Sequence, residues 1–407
     1  MNNSSWSRRI VTGVAVLLLL AIAAVGALLT ALWLERRTDV TLTAPTGPFV
    51  VGRASYAWTD DHQVDPLAPV PGTRRELLAW IWYPSASGPS TPIDDYVPAR
   101  IRAAIGPPAG PMSLVTRDFS KVHGHSAHDS AVAPWSFPVV IIRAGASAGV
   151  VGYSALAEDL ASHGYVVVGF DAPYRTNIVV FPDGRVMRRL PENNPEVCVE
   201  RPRAQQDGCM ATLLAAWTSD IAFTLDRLEQ LNASDASGRL TGRLDVTRVG
   251  VFGHSLGGAS AAQFCHDDTR CKAGINIDGQ PFGSVVQEGM QQPFMMLLSD
   301  HGSASDPVSR QIEANLQSLY DHLPAHGRHR LTIRGANHFL FSDDGAFLKS
   351  RLLLRALRLF GVVGIDGPRQ IDVTRYVVRT FFDAYLKQPG GMQPGPSPLY
   401  PEVQVVE

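Results

Sequence analysis

The 407-residue chain has almost no net charge: 36 Lys and Arg stand against 38 Asp and Glu, a formal −2. No basic run or basic patch with interleaved aromatics occurs, so nothing in the charge pattern points to nucleic acid. There is no glycine-rich phosphate loop, no internal repeat and no C-x-x-C, which removes the common nucleotide and zinc-site signatures. Cysteine is scarce, with four residues in two local pairs, Cys198/Cys209 and Cys265/Cys271. An even, locally paired set is the pattern of disulfides in an oxidising compartment. Charge is also missing from Ile10 to Leu34, which is long enough for a bilayer-spanning helix of about 20 residues and too long for a cleavable signal's apolar core.

The expected organisation follows from these gaps. Residues 1–9 form a cytoplasmic stub and 10–34 an uncleaved signal-anchor helix. The flanking charges, Arg8 and Arg9 against Arg36 and Arg37, nearly balance and do not set the orientation. The cysteine pairs favour the globular part outside, so a single-pass protein of the cell membrane is expected. Residues 35–48 are a linker, 49–388 the globular domain, and 389–407 a loose Pro- and Gly-rich tail.

Within the domain, short apolar runs alternate with helical patterns. Strands are expected at Phe49–Trp58, Leu77–Tyr83, Val139–Ile142, Tyr165–Phe170, Arg248–Phe252, Ala273–Ile277, Phe294–Leu298 and Arg330–Ile333. Helices are expected at Tyr153–Ser162, Thr212–Leu231, Ala346–Phe360 and Val373–Leu386. Such alternation implies an α/β fold, a mostly parallel eight-stranded sheet with helices on both faces. Two stretches, 85–134 and 172–210, read as loop excursions, the second able to form a lid.

Two segments have the form G-x-S-x-G. Gly253-His254-Ser255-Leu256-Gly257 lies between the fifth strand and a small-residue helix, the setting of a nucleophile elbow in α/β-hydrolases. Gly145-Ala146-Ser147-Ala148-Gly149 follows the third strand, where that fold places an oxyanion-hole amide. Strand order therefore assigns the nucleophile to Ser255 and leaves Ser147 as a loop residue. The oxyanion donors expected are the backbone N–H groups of Leu256 and Ala146. His338, directly after the eighth strand, is the expected base, and His254 is expected to point away from the elbow. His123, His125 and His128 form H-x-H-x-x-H but lack a helix or carboxylate partner and read as loop residues. The acid stays open on spacing alone: Asp278 ends the sixth strand, while Asp300 and Asp306 follow the seventh.

At these residues the chain resembles the plasma-type platelet-activating factor acetylhydrolases and their bacterial relatives. The matching stretches are Ile81-Trp82-Tyr83-Pro84, Tyr153 to Tyr165, Asp220 to Leu228, Gly253 to Gly258, Ile277-Asp278-Gly279 and Asn337-His338. The resemblance implies a serine ester hydrolase that needs no calcium, metal or organic cofactor, acting on short-acyl or phospholipid-type esters. It also implies Asp278 as the acid, which lies 23 residues after Ser255. One departure is Arg143-Ala144-Gly145, where the family usually has a His-Gly pair. Rival readings are a general, polyester or dienelactone-type esterase, or a non-catalytic binding protein on the same fold. The expected partners are an ester substrate and the membrane.

Overall fold

The computed structural model describes residues 3–88, 90–106, 110, 112–300, 306–388 and 390–406. It opens with α1 (Asn3–Arg37). Within Arg9–Arg37 an 18-residue stretch has a mean hydropathy of 2.8 and no buried residue. It is long and apolar enough to cross a bilayer, and almost none of its apolar surface is covered by the rest of the fold. A second long apolar stretch, Ala204–Ala233, is 56% buried and belongs to the core.

The eight expected strands form as β1 (Val51–Val64), β2 (Arg74–Pro84), β3 (Phe137–Arg143), β4 (Val166–Asp171), β5 (Leu244–His254), β6 (Cys271–Ile277), β7 (Phe294–Leu298) and β8 (Arg328–Ile333). Around them run α2 (Ser154–Ser162), α3 (Arg203–Ala233), α4 (Leu256–Asp267), α5 (Pro307–Asp321), α6 (Arg351–Leu359) and α7 (Gly367–Phe382). The fold is that of an α/β-hydrolase, but the sheet is not the eight-stranded one expected. Among the described residues it has twelve strands, and it is mixed. The strand order β4-β3-β5-β6-β7-β8 is parallel throughout, whereas β2 is antiparallel to both β1 and β4.

Four short strands extend the edges. Val122–Ala127 pairs with β1 and also carries Val40–Thr41 and Ile93–Asp95, so part of the expected 85–134 loop belongs to the sheet. Val403–Val405 pairs antiparallel with β8, so the tail expected to be loose is tied down. These additions are short strands near the two ends of the sheet, and their pairing depends on the neighbouring strand more than on their own residues. The expected helix over Ala346–Phe360 starts later, after a π-turn at Asp344–Leu348, and α7 ends in a similar turn at Asp383–Lys387.

The central strands are buried on both faces and read as unbroken apolar runs; Val139, Val140, Ile141 and Ile142 are all 0% exposed. Alternation with period two divides them. Val140 and Ile142 pack under α2 and α7, while Val139 and Ile141 pack with α3, α4 and α5. The 172–210 excursion carries a hairpin, Ile178–Val180 with Val186–Arg188. Disulfides join Cys198 to Cys209 and Cys265 to Cys271, and no free cysteine remains among the described residues.

Candidate active site

β5 ends at His254, α4 begins at Leu256, and Ser255 sits between them at φ 57°, ψ −128°. A left-handed non-glycine residue carries about 1–3 kcal/mol of strain and persists only where its surroundings hold it. Here the Ser255 N–H donates to the Ile277 carbonyl at 2.9 Å, and its own carbonyl accepts from Gly258 and Ala259. The turn also needs its glycines. A Cβ on Gly253 would lie 2.1 Å from the Gly257 carbonyl oxygen, and one on Gly257 would lie 2.2 Å from that of Arg143.

The structure brings Asp278 and His338 together. Asp278 follows β6, and its Oδ2 lies 2.7 Å from His338 Nδ1. The Ser299 N–H donates to Asp278 Oδ1 at 2.8 Å and the Ser299 hydroxyl to Oδ2 at 2.7 Å. These bonds fix a carboxylate whose side chain is only 1% exposed. With the Nδ1 proton directed at the carboxylate, Nε2 keeps its lone pair. His338 opens a single helical turn, His338–Phe341, after β8. Its ring and Ser255 wall the same cavity, of about 630 Å³.

The two alternative acids are occupied elsewhere. Asp306 caps α5, accepting from the N–H groups of Val308 and Ser309 and from the Ser309 hydroxyl. Asp300 accepts from the Gly335 N–H at 2.8 Å. The loop His301 to Ser305, which separates Asp306 from its strand, lies outside the described residues.

The loop after β3 lies against the Ser255 turn. A Cβ on Gly145 would stand 3.3 Å from Ser255 Cβ. The Gly145 N–H is taken by Tyr153 Oη at 3.2 Å, while Ala146 lines the cavity beside Ser255. Leu256 N–H stands at the first turn of α4, where amides are unpaired within the helix and the dipole favours negative charge. Ser147 has φ 67°, and its hydroxyl accepts from Arg189 Nη1 at 2.8 Å. Arg143, the departure from the family pattern, turns away from the cavity. Its guanidinium stacks 3.8 Å from the Trp217 ring centroid near Asp220, and burial pushes its pKa down to about 10. The histidines of H-x-H-x-x-H take three separate partners, Asp39, the Leu42 carbonyl and Asp94.

Three cavity residues were not anticipated. His254 does not point away: its ring centroid is 4.6 Å from that of His338. Its Nδ1 is 2.8 Å from Tyr153 Oη, and burial pushes its pKa down to about 3, so it is a neutral packing wall. His254 stands inside the elbow motif and Tyr153 opens a stretch that matches the family, but neither pattern tells which way the side chain points. The third is Asp171, at the end of β4, which accepts from the Val150 N–H at 2.8 Å and Trp80 Nε1 at 3.1 Å. Burial raises its pKa to about 6. A carboxyl raised in the fold contributes stability that is complete below the ordinary carboxylate range and is lost as pH rises through about 6. Wild type should therefore lose melting temperature relative to Asp171→Asn between about pH 4 and 7, checked by paired thermal melts.

Against known proteins, residues 185–388 match the family described as platelet-activating factor acetylhydrolase, isoform II. A probable 1-alkyl-2-acetylglycerophosphocholine esterase of Arthroderma benhamiae is 26% identical over 281 residues, covering 65% of each chain. The platelet-activating factor acetylhydrolase of Cavia porcellus is 25% identical, covering 61% of this chain and 58% of the relative. The alignments thus span less than two thirds of these relatives' length. Among solved structures, a ferulic acid esterase from Streptomyces cinnamoneus superposes with a TM-score of 0.71 at 27% identity, covering 91% of this chain and 100% of that one.

Proposed function

The chain belongs to the platelet-activating factor acetylhydrolase isoform II family, and from that membership and the site geometry we propose that it is a serine carboxylic ester hydrolase working through an acyl-enzyme. The observation that carries this reading is the 2.7 Å contact of a buried Asp278 with His338, on a ring that shares its cavity with the strained Ser255. In the proposed reaction Ser255 Oγ attacks the ester carbonyl carbon and passes its proton to His338 Nε2. Asp278 holds the tautomer and stabilises the imidazolium. The N–H groups of Leu256 and Ala146 receive the oxyanion. The tetrahedral adduct then expels the alcohol, which takes the proton from His338. Water, activated by the same imidazole, releases the acid. No step calls on a metal or an organic cofactor.

The proposed substrates are short-acyl or phospholipid-type esters, in keeping with the relatives' names. The cavity is large enough for an alcohol portion well beyond an acetyl group. Turnover of p-nitrophenyl esters should fall from acetate to palmitate; a rise along that series would point to a lipase. A second reading, aromatic-acid esters, is favoured by Tyr96, Phe119 and Phe339 in the cavity wall, and methyl ferulate belongs in the same panel.

We place the enzyme at the cell membrane, single-pass through α1, with the catalytic domain outside. The exposed apolar helix and two disulfides support this. After a high-salt and carbonate wash the protein should remain in the membrane fraction, and its four cysteines should resist alkylation until reduced. Recovery in the soluble fraction with a new N-terminus near Ala27 or Ala31 would indicate a cleaved signal instead.

A further inference from the structure

We propose that Arg189, on the 172–210 excursion, is a positioning residue for the oxyanion hole: by gripping the Ser147 hydroxyl it holds the Ala146 N–H where the developing charge appears. This rests on the proposed role of that amide in ester hydrolysis. The loop concerned, Gly145-Ala146-Ser147-Ala148-Gly149, has no large side chain to pack it down. The core fixes its two ends. The Gly145 N–H donates to Tyr153 Oη at 3.2 Å, and the Val150 N–H, just past Gly149, donates to Asp171 Oδ1 at 2.8 Å. The middle differs. Ala146, Ser147 and Ala148 are half-buried, and Ser147 stands at φ 67°, a left-handed conformation that a non-glycine residue keeps only where its surroundings impose it.

The excursion imposes it. The Asn177 N–H donates to the Ser147 carbonyl at 3.0 Å, and Arg189 Nη1 donates to the Ser147 hydroxyl at 2.8 Å. Among the described residues Arg189 is the only side chain hydrogen-bonded to residues 146–148. A bond donated by a guanidinium is charge-assisted and roughly twice as strong as a neutral one. An oxyanion donor works only within about 2.7–3.1 Å of the oxygen, so a small drift of Ser147 takes the adjoining Ala146 amide out of range.

Arg189 is itself anchored. Its N–H donates to the Asn177 carbonyl at 3.3 Å, and the next amide, of Leu190, donates to the Tyr174 carbonyl at 3.1 Å. Arg189 Nη1 also donates to Asn194 Oδ1. Asn194 precedes a short helix, Pro195–Glu200, whose Cys198 is disulfide-bonded to Cys209 of α3. The grip on the loop therefore runs back to a long helix of the domain. The same excursion supplies Thr176, Asn177, Ile178, Val180 and Glu196 to the cavity wall. One segment thus shapes the cavity and braces the hole.

The test compares p-nitrophenyl acetate with its thiono ester, in which sulfur replaces the carbonyl oxygen. Sulfur accepts hydrogen bonds poorly, so a well-formed oxyanion hole favours the oxo ester, and loosening the hole erodes that preference. Arg189→Ala and Ser147→Ala, in the full-length protein, should each lower kcat/KM for the oxo ester about fivefold and leave the thiono ester within about twofold, a partial loss compared with removing a donor outright. The double variant should also lose about fivefold, because the two side chains act as one unit. Melting temperatures establish that the variants are folded. If Arg189→Ala is not, Ser147→Ala, which removes a single oxygen, carries the comparison alone. Undiminished oxo-ester activity, equal loss on both esters, or losses that multiply in the double variant would overturn the inference and leave the serine mechanism standing. A wild type that hydrolyses neither ester would overturn that mechanism and this inference together.

Discussion

Ser255→Ala should reduce ester hydrolysis by about 10⁵–10⁶-fold, the loss seen when a serine nucleophile is removed from such a constellation. The hydroxyl stands on a turn that its neighbours hold at positive φ, between the β5 terminus and the first turn of α4. Alanine keeps the Cβ and all the backbone bonds, so circular dichroism and the melting temperature should be nearly unchanged. Labelling by a fluorophosphonate probe should vanish with activity. Wild-type turnover of p-nitrophenyl acetate by the variant would refute the assignment. Ser147 is the internal control, because it lies in the same motif form and lines the same cavity. Its hydroxyl is engaged by Arg189, and only backbone near it is assigned a role, so Ser147→Ala should stay within about tenfold of wild type.

Asp278→Asn should lower kcat by about 10⁴-fold. An amide can still accept from Ser299 through its oxygen. Its NH₂ then faces His338 Nδ1, which must become an acceptor, so the proton moves to Nε2 and the lone pair needed for the serine proton is lost. Asp306→Asn should remain within about tenfold, since this carboxylate serves as the cap of α5 and its replacement by another good cap costs little. Steady-state rates with both folded variants decide the matter. A dead Asp306→Asn beside an active Asp278→Asn would transfer the acid role to Asp306 and break the family parallel.

The sheet's centre was legible because its strands are buried on both faces, so Val139 to Ile142 and Val166 to Val168 appear as uninterrupted apolar runs. The elbow was legible because steric exclusion demands glycine at 253 and 257, which leaves a mark in the letters themselves. Val122–Ala127 and Val403–Val405 left no such mark. The first pairs over two residues with each of three other strands and the second is a three-residue edge strand, so the pairing of each is a property of the strands beside it.

The sequence by itself determined where the central strands lie in the chain, the serine of the tight turn, the histidine after the last of those strands, the apolar N-terminal helix and the two local cysteine pairs. Each depends on burial or on contacts between residues close in the chain. Spacing left open which aspartate meets His338, and only the family resemblance pointed to Asp278; the contact itself is tertiary, because it joins positions 60 residues apart and needs Ser299 to aim the carboxylate. Only the tertiary structure turned His254 toward His338, turned Arg143 away from the cavity and set Glu35 at the head of α6. Side-chain direction and long-range adjacency follow from how the layers pack, and no local pattern of residues encodes that.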